Sequence, residues 1–130
     1  MITSLVSLAV VTMCSAPTSI ELDVFSGQPN PTWNLSQSQC AEIEQHIDQL
    51  PETAGESLQS PPTLGYRGLI IHYENQQAVR EPIRIYRGIV QSERLQLRDP
   101  DRKLERWLLS TGQDLVDSNM QRYLQTELTQ

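Results

Sequence analysis

The chain has 130 residues, which is enough for one domain with its own core and too few for two domains of ordinary size. It carries 10 lysine and arginine residues against 16 aspartate and glutamate residues, for a formal net charge of −6. The ten basic residues are spread over residues 67–122 among eight acidic residues, whereas a phosphate-tracking surface needs clustered cations. Nucleic acid and anionic membrane surfaces are therefore not expected partners.

The N-terminus is the most distinctive part of the sequence, because the first charged side chain is Glu21. An apolar stretch over residues 5–13 is followed by small residues, the order that is typical of a secretory signal peptide. We expect residues 1–19 to be such a segment, followed by one domain over residues 20–130. The protein would then be secreted or periplasmic, and would meet a membrane only during transfer. The alternative is a buried first strand in a cytoplasmic protein.

The two cysteines, Cys14 and Cys40, bear on the same question. Loss of the N-terminal segment would leave Cys40 as the last cysteine and exclude a disulfide within the mature chain. Retention would make a Cys14–Cys40 bridge conceivable. Cys40 also falls on the apolar stripe of a predicted helix, which favours a core residue over a nucleophile.

The first elements of the domain are a strand, a stiff loop and a helix. Apolar and charged residues alternate over residues 20–25, as in a strand with one buried face. Residues 26–33 contain one glycine and two prolines, which restrict a loop. Ser36 and Gln39 form a capping-box pattern, and the helix is expected to reach Leu50 before Pro51. Its apolar stripe contains Cys40, Ile43, Ile47 and Leu50.

The second half of the chain predicts a hairpin and two helices. Residues 66–74 and 82–91 have the composition of strands, with a polar turn between them. Asp99-Pro100 marks a helix start, and that helix should end near Gly112. Asp114 can cap a last helix. The order β-α-β-β-α-α predicts the α+β class, with an antiparallel sheet of about three strands and helices packed on one face.

The loop from Phe25 to Trp33 is the first candidate binding feature, with Phe25, Asn30 and Trp33 as its recognition residues. Rigid loops that present an aromatic side chain lose little entropy on binding. The structural interpretation, which we favour, is that Trp33 closes over the core. Asn34 begins a formal glycosylation sequon, which matters only in a eukaryotic secretory setting.

Arg67 and Arg87 form the second candidate feature. Counting alternate positions puts each on a largely apolar strand face, roughly opposite the other across the hairpin. A guanidinium there needs an anion or several carbonyl acceptors. We favour an internal partner, for example Asp23, over the functional alternative, in which the two arginines clamp a carboxylate or another small anion.

Catalytic, metal and cofactor patterns are weak. His46 and His72 are the only histidines, and there is no Gly-x-Ser-x-Gly motif, no convergent ligand set for zinc and no phosphate-loop glycine pattern. We therefore expect an exported, non-enzymatic binding domain whose partner is a protein or a small acidic ligand. The alternative is a small hydrolase-like enzyme with His72 as general base and Glu74 or Asp23 as its partner.

Overall fold

The computed structural model describes residues 18–25, 27–53, 62, 64–73 and 81–129, apart from the side chain of Phe25. The strands are β1 (Thr18–Phe25), β2 (Thr32–Asn34), β3 (Gly65–Tyr73), β4 (Ile83–Tyr86), β5 (Ile89–Gln91) and β6 (Gln96–Arg98). The helices are α1 (Gln37–Gln49), α2 (Lys103–Thr111) and α3 (Ser118–Leu128), with short 3-10 turns at Pro100–Arg102 and Gln113–Leu115. Most of the signal-like segment lies outside the described residues, but its last two positions belong to β1.

The strands form one antiparallel sheet in the order β2-β1-β3-β4-β5-β6. The prediction of about three strands is therefore wrong, although the mixed α+β class stands. One extra strand arises because residues 82–91 fold as two strands about a tight turn. Arg87 and Gly88 occupy that turn with φ angles of 49° and 81°, the left-handed pair that a two-residue hairpin requires. The other two strands that were not predicted are β2 and β6. Each has only three residues, too few to show the alternation of buried and exposed positions that predicts a strand.

One face of the sheet carries the core. Alternate residues of β1 and β3 are fully buried, and buried residues of α1 and α2 complete the same cluster. Burial of this apolar surface is the main stabilising contribution to the fold. The principal members are Ile20, Leu22, Ile43, Leu69, Ile71, Ile85, Leu104 and Leu108.

Helix α1 has the predicted capping box. The Ser36 hydroxyl accepts a hydrogen bond of 3.1 Å from the Gln39 amide, and the Gln39 side chain accepts one of 2.9 Å from the Ser36 amide. The helix ends at Gln49, with Leu50 as its C-cap. The predicted core stripe is confirmed for its helical members, since Cys40, Ile43 and Ile47 are buried.

Cys40 is a core residue, 2% exposed, and it is disulfide-bonded through a partner outside the described residues. Cys14 also lies outside them. The sulfur of Cys40 is 3.0 Å from the hydroxyl of Thr18, which donates because a disulfide sulfur carries no hydrogen. Cys40 is therefore not a thiol nucleophile in this structure.

The start of α2 differs from its prediction. Asp101 and Arg102 both have a φ of 56°, which breaks the helix after Pro100 and delays its start to Lys103. The carboxylate of Asp99 still caps the helix, because its two oxygens accept the amides of Leu104 and Glu105 at 2.8 and 2.9 Å.

The other helix boundaries are simpler. Helix α2 ends at Thr111 with Gly112 as its C-cap, which agrees with the predicted end near Gly112. Helix α3 is capped by Asp117, whose carboxylate accepts the Met120 amide at 2.8 Å, and not by Asp114. Among the described residues, no helix combines the length and apolar character needed to cross a membrane.

The two edges of the sheet are short. Strand β6 forms one edge, and the segment after α1 partly covers it: the Arg98 amide donates to Pro51 at 2.8 Å, and the Thr53 amide donates to Gln96 at 3.2 Å. Strand β2 forms the other edge and has three residues. Both edges therefore offer few backbone groups for pairing.

Candidate functional site

A β-bulge in β3 decides which side chains reach the solvent face of the sheet. The register passes from Leu22–Leu69 to Val24–Tyr66, so two residues of β1 correspond to three residues of β3. Gly68 lies in the bulge with a φ of 106°, and a Cβ there would lie 2.5 Å from a backbone carbonyl oxygen. The extra residue turns Arg67 to the face opposite Leu69. The prediction that Arg67 lies on the apolar face is therefore wrong.

The solvent face of β1, β3 and β4 carries a connected set of polar side chains, which we call the polar face. Its members alternate with the buried residues of the same strands, except where the bulge shifts the phase, and the loop after β1 supplies one of them. The polar face consists of Glu21, Asp23, Asn30, Arg67, His72 and Arg84.

Two arginines of the polar face share one carboxylate. Nη1 of Arg84 lies 2.9 Å from Oδ2 of Asp23 and also donates to the backbone carbonyl of Arg67 at 2.7 Å. Nε of Arg67 lies 3.4 Å from the same Asp23 oxygen and makes no hydrogen bond of acceptable geometry. The Asp23 side chain is 14% exposed, against 31% for Arg67 and 25% for Arg84. Arg67 thus has the internal partner that we favoured from the sequence.

Arg84 was missed from the sequence, although a signal for it exists. It is the single polar position between Ile83 and Ile85, both buried, so alternation alone places it on the solvent face. Arg87, in contrast, lies outside the strand pairing. It occupies the exposed turn after β4, with its guanidinium carbon 5.6 Å from the centre of the Tyr86 ring.

A histidine–carboxylate pair lies beside the arginines. Nε2 of His72 is 2.8 Å from Oε1 of Glu21, whose other oxygen accepts the Asn30 amide at 2.7 Å. The hydrogen bond from Asn30 is the main cause that lowers the pKa of Glu21; the bond and charge of His72 add to it, while burial opposes them. The partner of His72 is Glu21 and not Asp23, and Glu74 lies outside the described residues.

Asn30 also ties the proline-rich loop to the polar face. Its side-chain oxygen accepts the Val24 amide at 3.1 Å, and its amide nitrogen lies 3.4 Å from Asp23. The carbonyl of Pro31 accepts the Leu22 amide at 2.9 Å, so the loop folds back along β1. The loop apex over residues 27–29 is exposed.

Trp33 does not take part in the polar face. It lies in β2 opposite Ile20, is 6% exposed, and donates its indole N–H to the Thr111 hydroxyl at 2.8 Å. Its ring lies so close to Gly112 that a Cβ at that glycine would be 2.2 Å away. Trp33 thus closes over the core, which is the interpretation that we favoured from the sequence. The Phe25 side chain lies outside the described residues, and Asn34 is exposed.

A buried ionic cluster lies on the helical side of the sheet. The carboxylate of Glu105, which has no exposed surface, accepts Nε and Nη2 of Arg102 at 2.9 and 2.8 Å. It also accepts the Tyr66 hydroxyl and the Gly88 amide, the latter at 3.2 Å. Burial raises the pKa of Tyr66 well above its usual range, and the adjacent carboxylate adds to this effect. The phenol therefore stays a hydrogen-bond donor.

Arg102 and Asp99, the other charged residues of this cluster, form hydrogen bonds to α3 and α2. Burial opposes the charge of Arg102, but the hydrogen bonds and charge of Glu105 outweigh it and raise the pKa of the guanidinium. Nη1 of Arg102 donates to the Glu127 carbonyl in α3 at 2.9 Å. Burial raises the pKa of Asp99, against the lowering effect of the two amides that it caps. We interpret this cluster as a structural link between the sheet, α2 and α3.

Metal binding and relationship to known proteins give no further indication of function. In the part of the chain that the structure describes, no group of three or more histidine, cysteine, aspartate or glutamate side chains is placed to hold a metal ion. Comparison of the chain with protein-family models, with curated proteins and with solved structures gave no match.

Proposed function

We propose that this chain is an exported, non-enzymatic binding domain that holds an acidic group of a protein or small ligand on the polar face. The observation that carries the proposal is the sharing of one Asp23 oxygen by Arg67 and Arg84. One carboxylate neutralises one guanidinium. The other carboxylate of the polar face, Glu21, is hydrogen-bonded to Asn30 and His72, so the arginine pair can accept a second anion.

The donor inventory supports this proposal. Each guanidinium has five N–H groups in a fixed fork. In the described part of the chain, Arg84 uses Nη1 for its two acceptors, and no other acceptor engages the remaining groups of Arg67 or Arg84. An incoming carboxylate could accept two parallel hydrogen bonds from either group. Both side chains are partly exposed, so such a ligand would not need to displace the core.

The neighbouring loop adds a rigid boundary. Its apex over residues 27–29 is exposed, while Asn30 and Pro31 hold its base through hydrogen bonds to β1. A loop that is already ordered loses little conformational entropy when a ligand binds. The exposed apex is therefore available to contact the rest of a molecule whose acidic group lies on the polar face.

The test is a titration of the full-length protein with citrate, followed by NMR of the arginine Nε–H signals. Citrate should shift the signals of Arg67 and Arg84 saturably, and Arg84→Gln should weaken its affinity about tenfold, the effect of losing about 1.4 kcal/mol. Arg94→Gln is the matched control, because Arg94 is 89% exposed and lies 4.0 Å from Glu81. Equal affinity for all three proteins, with Arg84→Gln still folded by circular dichroism, would overturn the proposal.

The alternative function, hydrolysis with His72 as general base, has one observation in its favour. The 2.8 Å contact with Glu21 can orient the imidazole as a carboxylate does in hydrolytic sites. If this alternative holds, p-nitrophenyl acetate is hydrolysed above the rate given by free imidazole, and both His72→Gln and Glu21→Gln reduce that rate. Retention of the full rate in His72→Gln would exclude it.

The export proposal has a separate test. The intact mass of the native protein should lack the residues of the signal-like segment, whereas a retained Met1 would remove the main support for export. A non-reducing proteolytic digest of the same sample identifies the partner of Cys40. Because Cys14 is the other cysteine of the sequence and lies in the signal-like segment, a Cys14–Cys40 bridge in the native protein would also count against removal of that segment.

A further inference from the structure

A pocket on the helical side of the sheet is separate from the polar face. It lies between α2, the turn after it, and α3, and its volume is about 130 Å³. Trp33 reaches it from β2, on the side of the sheet that faces the core. The apolar part of its lining consists of Trp33, Leu109, Val116, Leu124 and Leu128.

The size of the pocket fits a single ring or a branched aliphatic group. An apolar cavity of roughly 150 Å³ in a protein interior is known to accept benzene. The indole ring of Trp33 is held in place by its hydrogen bond to Thr111 and by contact with Gly112. One wall of the pocket is therefore preformed, which limits the entropy lost when a ligand enters.

The charges around the pocket favour an anion. Arg106 lies at its rim and is exposed, and its Nη2 donates to the Leu128 carbonyl at 3.1 Å. Within the described part of the chain Arg106 has no carboxylate partner, and the other polar lining residues are serine and glutamine. Although the net charge of the chain is −6, no described acidic residue lines this pocket. A carboxylate near Arg106 would therefore meet a cation and no opposing carboxylate in the lining.

We propose that this pocket binds a small organic acid, with its apolar body against Trp33 and its carboxylate on Arg106. This site does not depend on the function proposed for the polar face. The apolar body supplies contact area inside the pocket, and the guanidinium fixes the orientation of the ligand.

The experiment is an NMR titration of the full-length protein with phenylacetate, and with phenylacetamide as the neutral isostere. The reporter is the indole Nε1–H signal of Trp33, which Trp107→Phe distinguishes from the other tryptophan. Phenylacetate should shift this signal saturably and bind about tenfold more tightly than phenylacetamide. Arg106→Gln should remove that preference. Arg122→Gln, an exposed arginine elsewhere on α3, should keep it.

A second pair of variants tests the location. Val116→Phe places a ring in the pocket and should abolish phenylacetate binding. Leu115→Phe is the control and should leave binding unchanged, because Leu115 is 62% exposed and does not line the pocket. The proposal is overturned if phenylacetate leaves the Trp33 signal unmoved. It is also overturned if folded Val116→Phe binds like the parent, or if phenylacetate and phenylacetamide bind equally.

Discussion

Replacement of Glu105 by glutamine tests the buried ionic cluster with almost no change of shape. All four partners of the carboxylate are donors, and each of its oxygens accepts two of them. Oε1 faces the Gly88 amide and Nε of Arg102, while Oε2 faces the Tyr66 hydroxyl and Nη2 of Arg102. A glutamine amide nitrogen is itself a donor. At the Oε1 position it opposes the Gly88 amide and Nε of Arg102; at the Oε2 position it opposes Nη2 of Arg102, while the Tyr66 hydroxyl can rotate to accept from it.

The magnitude follows from those losses. A hydrogen bond to a charged group contributes about 1.5–3 kcal/mol, and one or two are lost, depending on the orientation of the amide. Arg102, 9% exposed, is also left without its carboxylate; removing one partner of a buried ion pair typically costs about 3–5 kcal/mol. We therefore expect Glu105→Gln to lower the free energy of unfolding by about 3–5 kcal/mol, a large fraction of the roughly 5–15 kcal/mol available to a domain.

Urea unfolding at pH 7, followed by circular dichroism, measures this change. With a slope near about 1.5 kcal/mol per M, the midpoint should fall by about 2 M or more. Glu93→Gln is the matched control, because Glu93 is exposed, and its midpoint should not move. A loss below about 1 kcal/mol for Glu105→Gln would refute the claim that this carboxylate holds the sheet and the helices together.

Three further variants test local features. Gly68→Ala should destabilise the protein by more than about 2 kcal/mol, since the bulge combines a positive φ with a carbonyl 2.5 Å from the new Cβ. Gly112→Ala should cost about 1–3 kcal/mol and shift the Trp33 indole signal, since the new Cβ would overlap the ring. Asn30→Ala should raise the pKa of Glu21 in an NMR titration, since the main hydrogen bond that lowers it is removed.

The control for Gly68→Ala is Gly27→Ala, which has a φ of 81° but open space around the new Cβ, and so should cost only the backbone strain. Equal losses at Gly27 and Gly68 would contradict the steric argument. For Glu21, a lowered folded-state pKa means that its contribution is present above the ordinary value of 4.5 and is lost as the pH falls through the lower value. The stability of Asn30→Ala should therefore fall less between neutral pH and acid than that of the parent.

Features that depend on residues close together in the sequence were predicted correctly. The capping box of α1 needs Ser36 and Gln39 alone, and the burial of Ile43 and Ile47 follows from helical spacing. Likewise, alternation in β1 correctly separates its buried residues from Glu21 and Asp23. These features carry their signals within a few residues, where period and capping chemistry can be recognised.

The errors have different physical causes. Arg-Gly is an unusual pair for a two-residue hairpin, so Arg87 and Gly88 did not suggest the turn that divides one predicted strand into β4 and β5. The bulge at Gly68 shifts the alternation of β3 by one position and moves Arg67 to the other face. The polar face therefore required the pairing of β1 with β3, which no local pattern encodes. Alternation would have placed Arg84 on the solvent face if the limits of β4 had been predicted correctly.

The short edges of the sheet bear on how this protein resists aggregation. Exposed strand edges are templates on which identical chains can add strands without limit. Here β6 already pairs with the segment at Pro51 and Thr53, and β2 has only three residues. Edge-to-edge growth of the described sheet would have to begin from very few backbone hydrogen bonds. The described sheet thus combines a polar side with edges that offer a second copy of the chain little on which to add a strand.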